Sequence, residues 1–193
     1  MANEADKGIA HKRVFLSKLI NLFDENLKIE RITVPLMKTL EMLMSSDYLS
    51  QNELSDQMAA IHALSVKECN KSKNMGKLIS AVGLFSSFLS FNDSTLVKKG
   101  TKSLLTMLFH KFPKVRVVAA EKLYTALLVV EDQSLVHDKE EDIEKAVEVL
   151  SETDWTQDLN NLPLTRVDMY ALFGHTYNPP VKSEVEKPAA KKA

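Results

Sequence analysis

Apolar residues recur along this chain at intervals of three and four, and strand-like alternation is absent. The pattern predicts paired helices. A first pair covers about 9–23 (Phe15, Leu16, Leu19, Leu22, Phe23) and about 30–45 (Ile32, Leu36, Leu40, Leu43), with Pro35 early in the second helix. A second pair joins about 51–70 to about 74–90, whose stripe is Met75, Leu78, Ile79, Val82, Phe85 and Leu89. Asn92, Asp93 and Ser94 then read as a stop followed by a fresh N-cap. The third pair joins about 94–110 (Val97, Leu104, Leu105, Leu108) to about 113–131. The fourth is weaker. Asp138 can cap about 139–151 (Ile143, Ala146, Val147, Leu150), and a last helix near 158–173 is interrupted at Pro163 and closed by Gly174.

The helix opening at Pro113 is the most specific of these. Proline supplies a first-turn residue with a preset φ and no backbone donor to leave unpaired. Val115, Val118, Ala119, Leu123, Ala126, Leu127 and Val130 follow on one face, and Ala119–Ala120 permits close approach of a partner helix. Second helices starting near 30, 74, 113 and 158 give spacings close to the ~40–47 residues of helical arrays. The expected fold is all-α, a short α-solenoid of about four HEAT/armadillo-like helical hairpins. It spans 9–174, between a flexible N-terminus at 1–8 and a disordered tail at 175–193 that is rich in Pro, Lys, Glu and Ala. Such arrays present surfaces to partners far more often than they build active sites.

Composition adds compartment and electrostatics. The apolar fraction of 45% is ample for a core without staples, and the single Cys69 excludes an intrachain disulfide and reads as a small buried apolar residue. No run reaches the ~20 apolar residues of a membrane span, and the first residues lack the apolar core of a signal peptide. The expected compartment is the cytoplasm. Net charge is −1, yet residues 67–122 carry eleven Lys/Arg against three acids, while 131–158 carry eleven acids against two lysines. The two blocks can neutralise each other across adjacent hairpins, or the basic one can steer an acidic partner.

Catalytic signatures are missing. Gly8, Gly76, Gly83, Gly100 and Gly174 form no phosphate loop or dinucleotide fingerprint, and the five histidines are scattered without zinc-ligand spacing. The acids at 140–144 lack the spacing of a calcium hand and suit a helix start. No catalytic residue, cofactor or metal is expected, and the chain is read as a non-enzyme. The candidate partner-binding residues are Lys98, Lys99, Lys102, Lys111, Lys114 and Arg116, three of them at one inter-helix turn. Arg116 can equally pair within the fold, with Glu121 or with an acid of the next hairpin. Nucleic acid is disfavoured, because no stacking aromatics interleave with the basic block at a recognisable spacing.

Three phrases and an ending then stand in order: 34–40 (VPLMKTL), 109–116 (FHKFPKVR), 149–155 (VLSETDW), and Arg166 through Leu172, Phe173 and Gly174. In this order they resemble the C-terminal region of the tubulin-folding cofactor D family, the tubulin-specific chaperone D family, over roughly 12–174. The resemblance implies a HEAT/armadillo-like chaperone that binds β-tubulin. It would act with the other tubulin-folding cofactors in assembling and dismantling the αβ-tubulin heterodimer. It further implies engagement of an Arf-like small GTPase, collective stimulation of tubulin GTP hydrolysis, and a cytoplasmic place of action at microtubules or centrosomes. Because that stimulation is collective, Arg116 is not assigned as an arginine finger. The chain is shorter than a full family member, which points to a fragment, a split-gene product or a short isoform. The alternative is a generic HEAT-repeat scaffold for another cytoplasmic protein complex.

Overall fold

The computed structural model describes residues 4–46, 49, 54–129 and 140–178. Among these residues the fold is helical throughout. The helices are α1 (Glu4–Glu25), α2 (Glu30–Met44), α3 (Ser55–Cys69), α4 (Met75–Ser87), α5 (Ser94–Leu108), α6 (Pro113–Val129), α7 (Glu140–Glu152) and α8 (Arg166–Leu172). Short 3-10 turns follow α4 at Phe88–Ser90 and precede α8 at Leu159–Asn161.

Two layers form. First helices of the hairpins, α1, α3 and α5, lie side by side, and second helices, α2, α4 and α6, stack beneath them. The short α-solenoid expected from the periodicity is therefore observed. The fourth hairpin enters it in reverse. Helix α7 continues the second layer beside α6, and α8 returns to the first layer beside α5. Its last helix begins at Arg166, because Pro163 follows a single 3-10 turn and the α-helix restarts only at the Thr165 cap.

Local chemistry explains the boundaries. The Asp93 carboxylate accepts from the N–H groups of Thr95 (2.8 Å) and Leu96 (3.3 Å), capping α5 as its sequence indicates. Thr165 and Asp168 form a reciprocal capping box at the start of α8. Gly174, at φ 65°, ends α8, with its N–H on Ala171 O and the His175 N–H on Tyr170 O. Pro35 lies in the second turn of α2, and the predicted Asp138 cap lies outside the described residues.

Helix α4 is the centre of the core. Apart from Lys77 it is apolar or small on every side, and from Lys77 through Phe85 only Ile79 is less than fully buried, as expected for a helix surrounded by neighbours. Val115, Ala119 and Leu123 of α6 are fully buried, while Val118, Ala126 and Leu127 are half-buried. Cys69 is buried, and burial pushes its thiol up to about 12, so it stays a thiol. Three residues expected on buried stripes are exposed: Phe15 and Leu22 on α1, and Met75 in the first turn of α4. Among the described residues the main neighbours of α1 are α3 and α2, which leaves part of its apolar arc open. The helix also starts at Glu4, earlier than its apolar pattern begins.

Gly100 sets the distance between α5 and the end of α4. A Cβ there would lie 2.7 Å from Phe88 Cβ and 3.0 Å from the Phe85 carbonyl oxygen. Alanine is favoured over glycine in helices by about 1 kcal/mol. Overpacking costs about 1–3 kcal/mol. Gly100→Ala is therefore expected to lower the melting temperature; a rise would show that the two segments can separate without loss.

A buried ionic centre, not legible as such in the sequence, joins the first two hairpins. Lys77 of α4 is 3% exposed, and its Nζ lies 2.6 Å from the fully buried Glu68 carboxylate of α3 and 3.2 Å from Glu30 of α2. Glu68 also accepts from the Thr33 hydroxyl (2.9 Å) and the Lys28 N–H (2.6 Å). Burial alone raises the Glu68 pKa, but these donors outweigh it and the net shift is downward. Burial likewise disfavours charged Lys77, yet Glu68 and Glu30 outweigh it and its pKa is raised.

Candidate partner-binding surface

The six basic residues singled out in the sequence do not form one patch. Lys98, Lys99 and Lys102 are exposed along the N-terminal half of α5. Lys111 stands at the α5–α6 turn and Lys114 in the first turn of α6, both exposed. At ~1.5 Å per residue, the Lys98 and Lys111 ends are on the order of 15–20 Å apart. The fold thus divides them into a stripe and a turn cluster.

Arg116 belongs to neither. It is 2% exposed, which removes it from the set of contact candidates. Its Nε donates to Trp155 O (2.9 Å), one terminal nitrogen to His110 O (2.9 Å) and Lys111 O (3.4 Å), and the other to the carbonyls of Thr156 and Gln157. A rigid fork of donors suits this task, reaching two turns at once. Burial lowers its pKa, with Asp158 and Asp154 opposing. Arg116 is thus used within the fold, but its hydrogen-bond acceptors are backbone carbonyls, not Glu121 or an acid of the next hairpin. No salt bridge among the described residues joins 67–122 to 141–158.

Arg166 completes the same corner. It donates to Phe109 O (2.9 Å) and to the Tyr177 hydroxyl (3.1 Å), and its guanidinium lies over both rings. The carbonyls that end α5 are therefore held by two arginines. Trp155 packs edge-on against Phe109 and donates from Nε1 to Leu150 O. Residues 175–178, placed in the tail on sequence, pack here through Tyr177, which lies against Arg166 and Tyr170; residues 179–193 lie outside the described ones.

Beside this corner an open groove of about 800 Å³ runs between the C-terminal halves of α3 and α5. Lys111 is on its rim together with Lys67, Lys71 and Lys73, three lysines that the sequence reading did not select. They could be found only once α3 and α5 were known to be adjacent. Among the described residues, no group of three or more His, Cys, Asp or Glu side chains is placed to hold a metal.

Three histidines give the domain a pH dependence. His62 sits between Phe85 and Phe88, with Nε2 3.1 Å from Lys99 O and 2.9 Å from Ser103 Oγ. Burial lowers its pKa, outweighing the hydrogen bond to the Lys99 carbonyl, which raises it, and the Lys99 charge adds to the lowering. His110 is lowered by burial and by Lys111, Arg116 and Arg166, and His175 by burial and by Lys102 and Lys98. The unfolded chain then binds more protons below the ordinary value of 6.5, so stability falls as pH falls through that range. The melting temperature is expected to be lower at pH 5.5 than at pH 7.5, and His62→Asn to flatten part of the difference. A melting temperature that rises on acidification would contradict these placements.

Comparison with known families gives a match at the N-terminal part of the chain. The family model described as the tubulin folding cofactor D C terminal matches residues 2–77. The resemblance drawn from the sequence is shown over that segment, which comprises α1, α2, α3 and the start of α4. The phrases at 109–116 and 149–155 and the ending at 166–174 lie beyond it. No solved structure matches the chain. Among the described residues no helix is long and apolar enough to cross a membrane.

Proposed function

We propose that this chain, whose residues 2–77 are similar to the C-terminal region of tubulin folding cofactor D, is a non-catalytic tubulin-chaperone module. In this reading it binds β-tubulin and partner cofactors during assembly and disassembly of the αβ heterodimer. It shares in stimulating tubulin GTP hydrolysis without supplying a catalytic residue. An Arf-like small GTPase is a further partner, and the setting is the cytoplasm at microtubules or centrosomes.

The family match is the observation that carries this reading. The layered helices add a suitable frame, since stacked hairpins build extended surfaces. Exposed Lys98, Lys99, Lys102, Lys111 and Lys114 supply charge opposite in sign to an acidic partner. Arg116 is excluded from that role by its burial.

Affinity capture from cell extract, with mass-spectrometric identification of what co-purifies, separates tubulin chaperone from generic scaffold. Enrichment of β-tubulin over an unrelated HEAT-type control is expected. Recovery of another protein complex without tubulin would favour the scaffold.

A further inference from the structure

We infer that the groove between α3 and α5 is a docking site for an acidic peptide segment carrying an apolar or aromatic side chain. The inference goes beyond tubulin binding and does not depend on it. Its volume of about 800 Å³ lies within the ~300–1,000 Å³ of ligand-sized clefts. Leu78, Phe85 and Met107 lie buried at the bottom, Val66, 45% exposed, lines one side, and Ser72, Ser103 and Thr106 add hydroxyls to the wall. An exposed valine beside such a floor is a seat for a partner's side chain.

The rim has one sign. Lys67, Lys71, Lys73 and Lys111 border the groove, and among the described residues no aspartate or glutamate lines it. Lys67 lies 3.6 Å from Asp24, and Lys111 leans over the Phe112 ring. Lys71 and Lys73 form no salt bridge among the described residues.

A second feature makes the groove positive. Both α3 and α5 end here, and helix C-termini carry partial negative charge that would repel an anion. Both ends are neutralised from within the fold. The Lys28 ammonium donates to Lys67 O (2.6 Å) and Glu68 O (2.7 Å) at the end of α3. Arg116 and Arg166 take the carbonyls of His110, Lys111 and Phe109 after α5. What remains facing solvent is Val66 beneath lysines, over a buried apolar base of Leu78, Phe85 and Met107. An acidic peptide with one apolar anchor matches both parts, with charge setting the encounter and the anchor the residence. Nucleic acid fits less well, since the floor aromatic Phe85 is 1% exposed and offers no face for stacking.

The test uses fluorescence anisotropy of a labelled peptide with three glutamates on each side of one phenylalanine. Controls are the same peptide with alanine at the centre, a lysine-for-glutamate peptide, an oligothymidine of equal charge, and phosphatidylserine vesicles. The acidic phenylalanine peptide is expected to bind with salt-sensitive affinity, and both the alanine and lysine peptides at least tenfold more weakly. Val66→Glu, and separately Lys71→Glu with Lys73→Glu, should each weaken it at least tenfold with unchanged circular-dichroism melts. These variants leave Lys98, Lys99 and Lys102 intact, so loss of peptide binding with tubulin binding retained tells the two ideas apart. No binding, equal binding of the alanine peptide, indifference to both variants, or tighter binding of the oligonucleotide or vesicles would overturn the inference.

Discussion

Replacing Glu68 with leucine is expected to destabilise the domain by about 3–5 kcal/mol, the usual cost of stranding a buried charge. The variant leaves Lys77, 3% exposed, with Glu30 alone, and leaves the Thr33 hydroxyl and the Lys28 N–H without their acceptor. At about 2–4 °C per kcal/mol for a chain of this size, the melting temperature falls by on the order of 10 °C. Replacing both partners, Glu68→Leu with Lys77→Met, should recover much of the loss, because an apolar pair of similar volume needs no desolvated charge. Folded-state Glu68 is shifted down and Lys77 up, so the pair stabilises fully above 4.5 and below 10.5. Its contribution is lost as pH falls through the folded Glu68 pKa or rises through that of Lys77. A four-protein denaturation cycle checks the coupling. Additive losses in the double variant would show that the two side chains do not depend on each other.

Arg116→Met is expected to release the fourth hairpin from the third, at a cost of about 3 kcal/mol. That figure follows from hydrogen bonds to a charged group worth about 1.5–3 kcal/mol each, with incomplete additivity. Methionine fills the space of the stem but leaves carbonyls of two turns unpaired, at His110–Lys111 and at Trp155–Gln157. Lysine should rescue poorly, since a single ammonium cannot span both turns. The reporter is built in. Trp155 is the chain's only tryptophan, 5% exposed and packed on Phe109, so its emission should shift to the red before the remaining helices melt. Unchanged emission and stability in Arg116→Met would mean that the turn is held by its apolar contacts alone.

The helices and their punctuation could be read from the chain because their causes are local. Asp93 lies one residue before its helix, Gly174 two residues after, and the core faces of α5 and α6 repeat along their own axes. Long-range partners were not readable in this way. Glu68 and Lys77 look like ordinary surface charges at helix ends, and only the packing of α2, α3 and α4 around them makes them a buried pair. Phe15 and Leu22 satisfy a helical stripe, yet α1 has too few neighbours to cover them. The reversed entry of the fourth hairpin depends on how the segment around Trp155 docks beneath Arg116, which spacing alone does not encode. The lysines were visible as charge, but the groove that groups Lys111 with Lys67, Lys71 and Lys73 exists only where two turns meet. Arg116 shows the reverse: a cation prominent in sequence that the fold uses internally.

Binding of purified αβ-tubulin by the intact chain and by a variant with Lys98, Lys102, Lys111 and Lys114 changed to glutamate is the most direct measurement. All four side chains are exposed, so the variant should melt like the parent. Tubulin binding by the parent is expected, weakened at least tenfold in the variant and by rising salt. Equal binding by both proteins, or none by the parent, would contradict it.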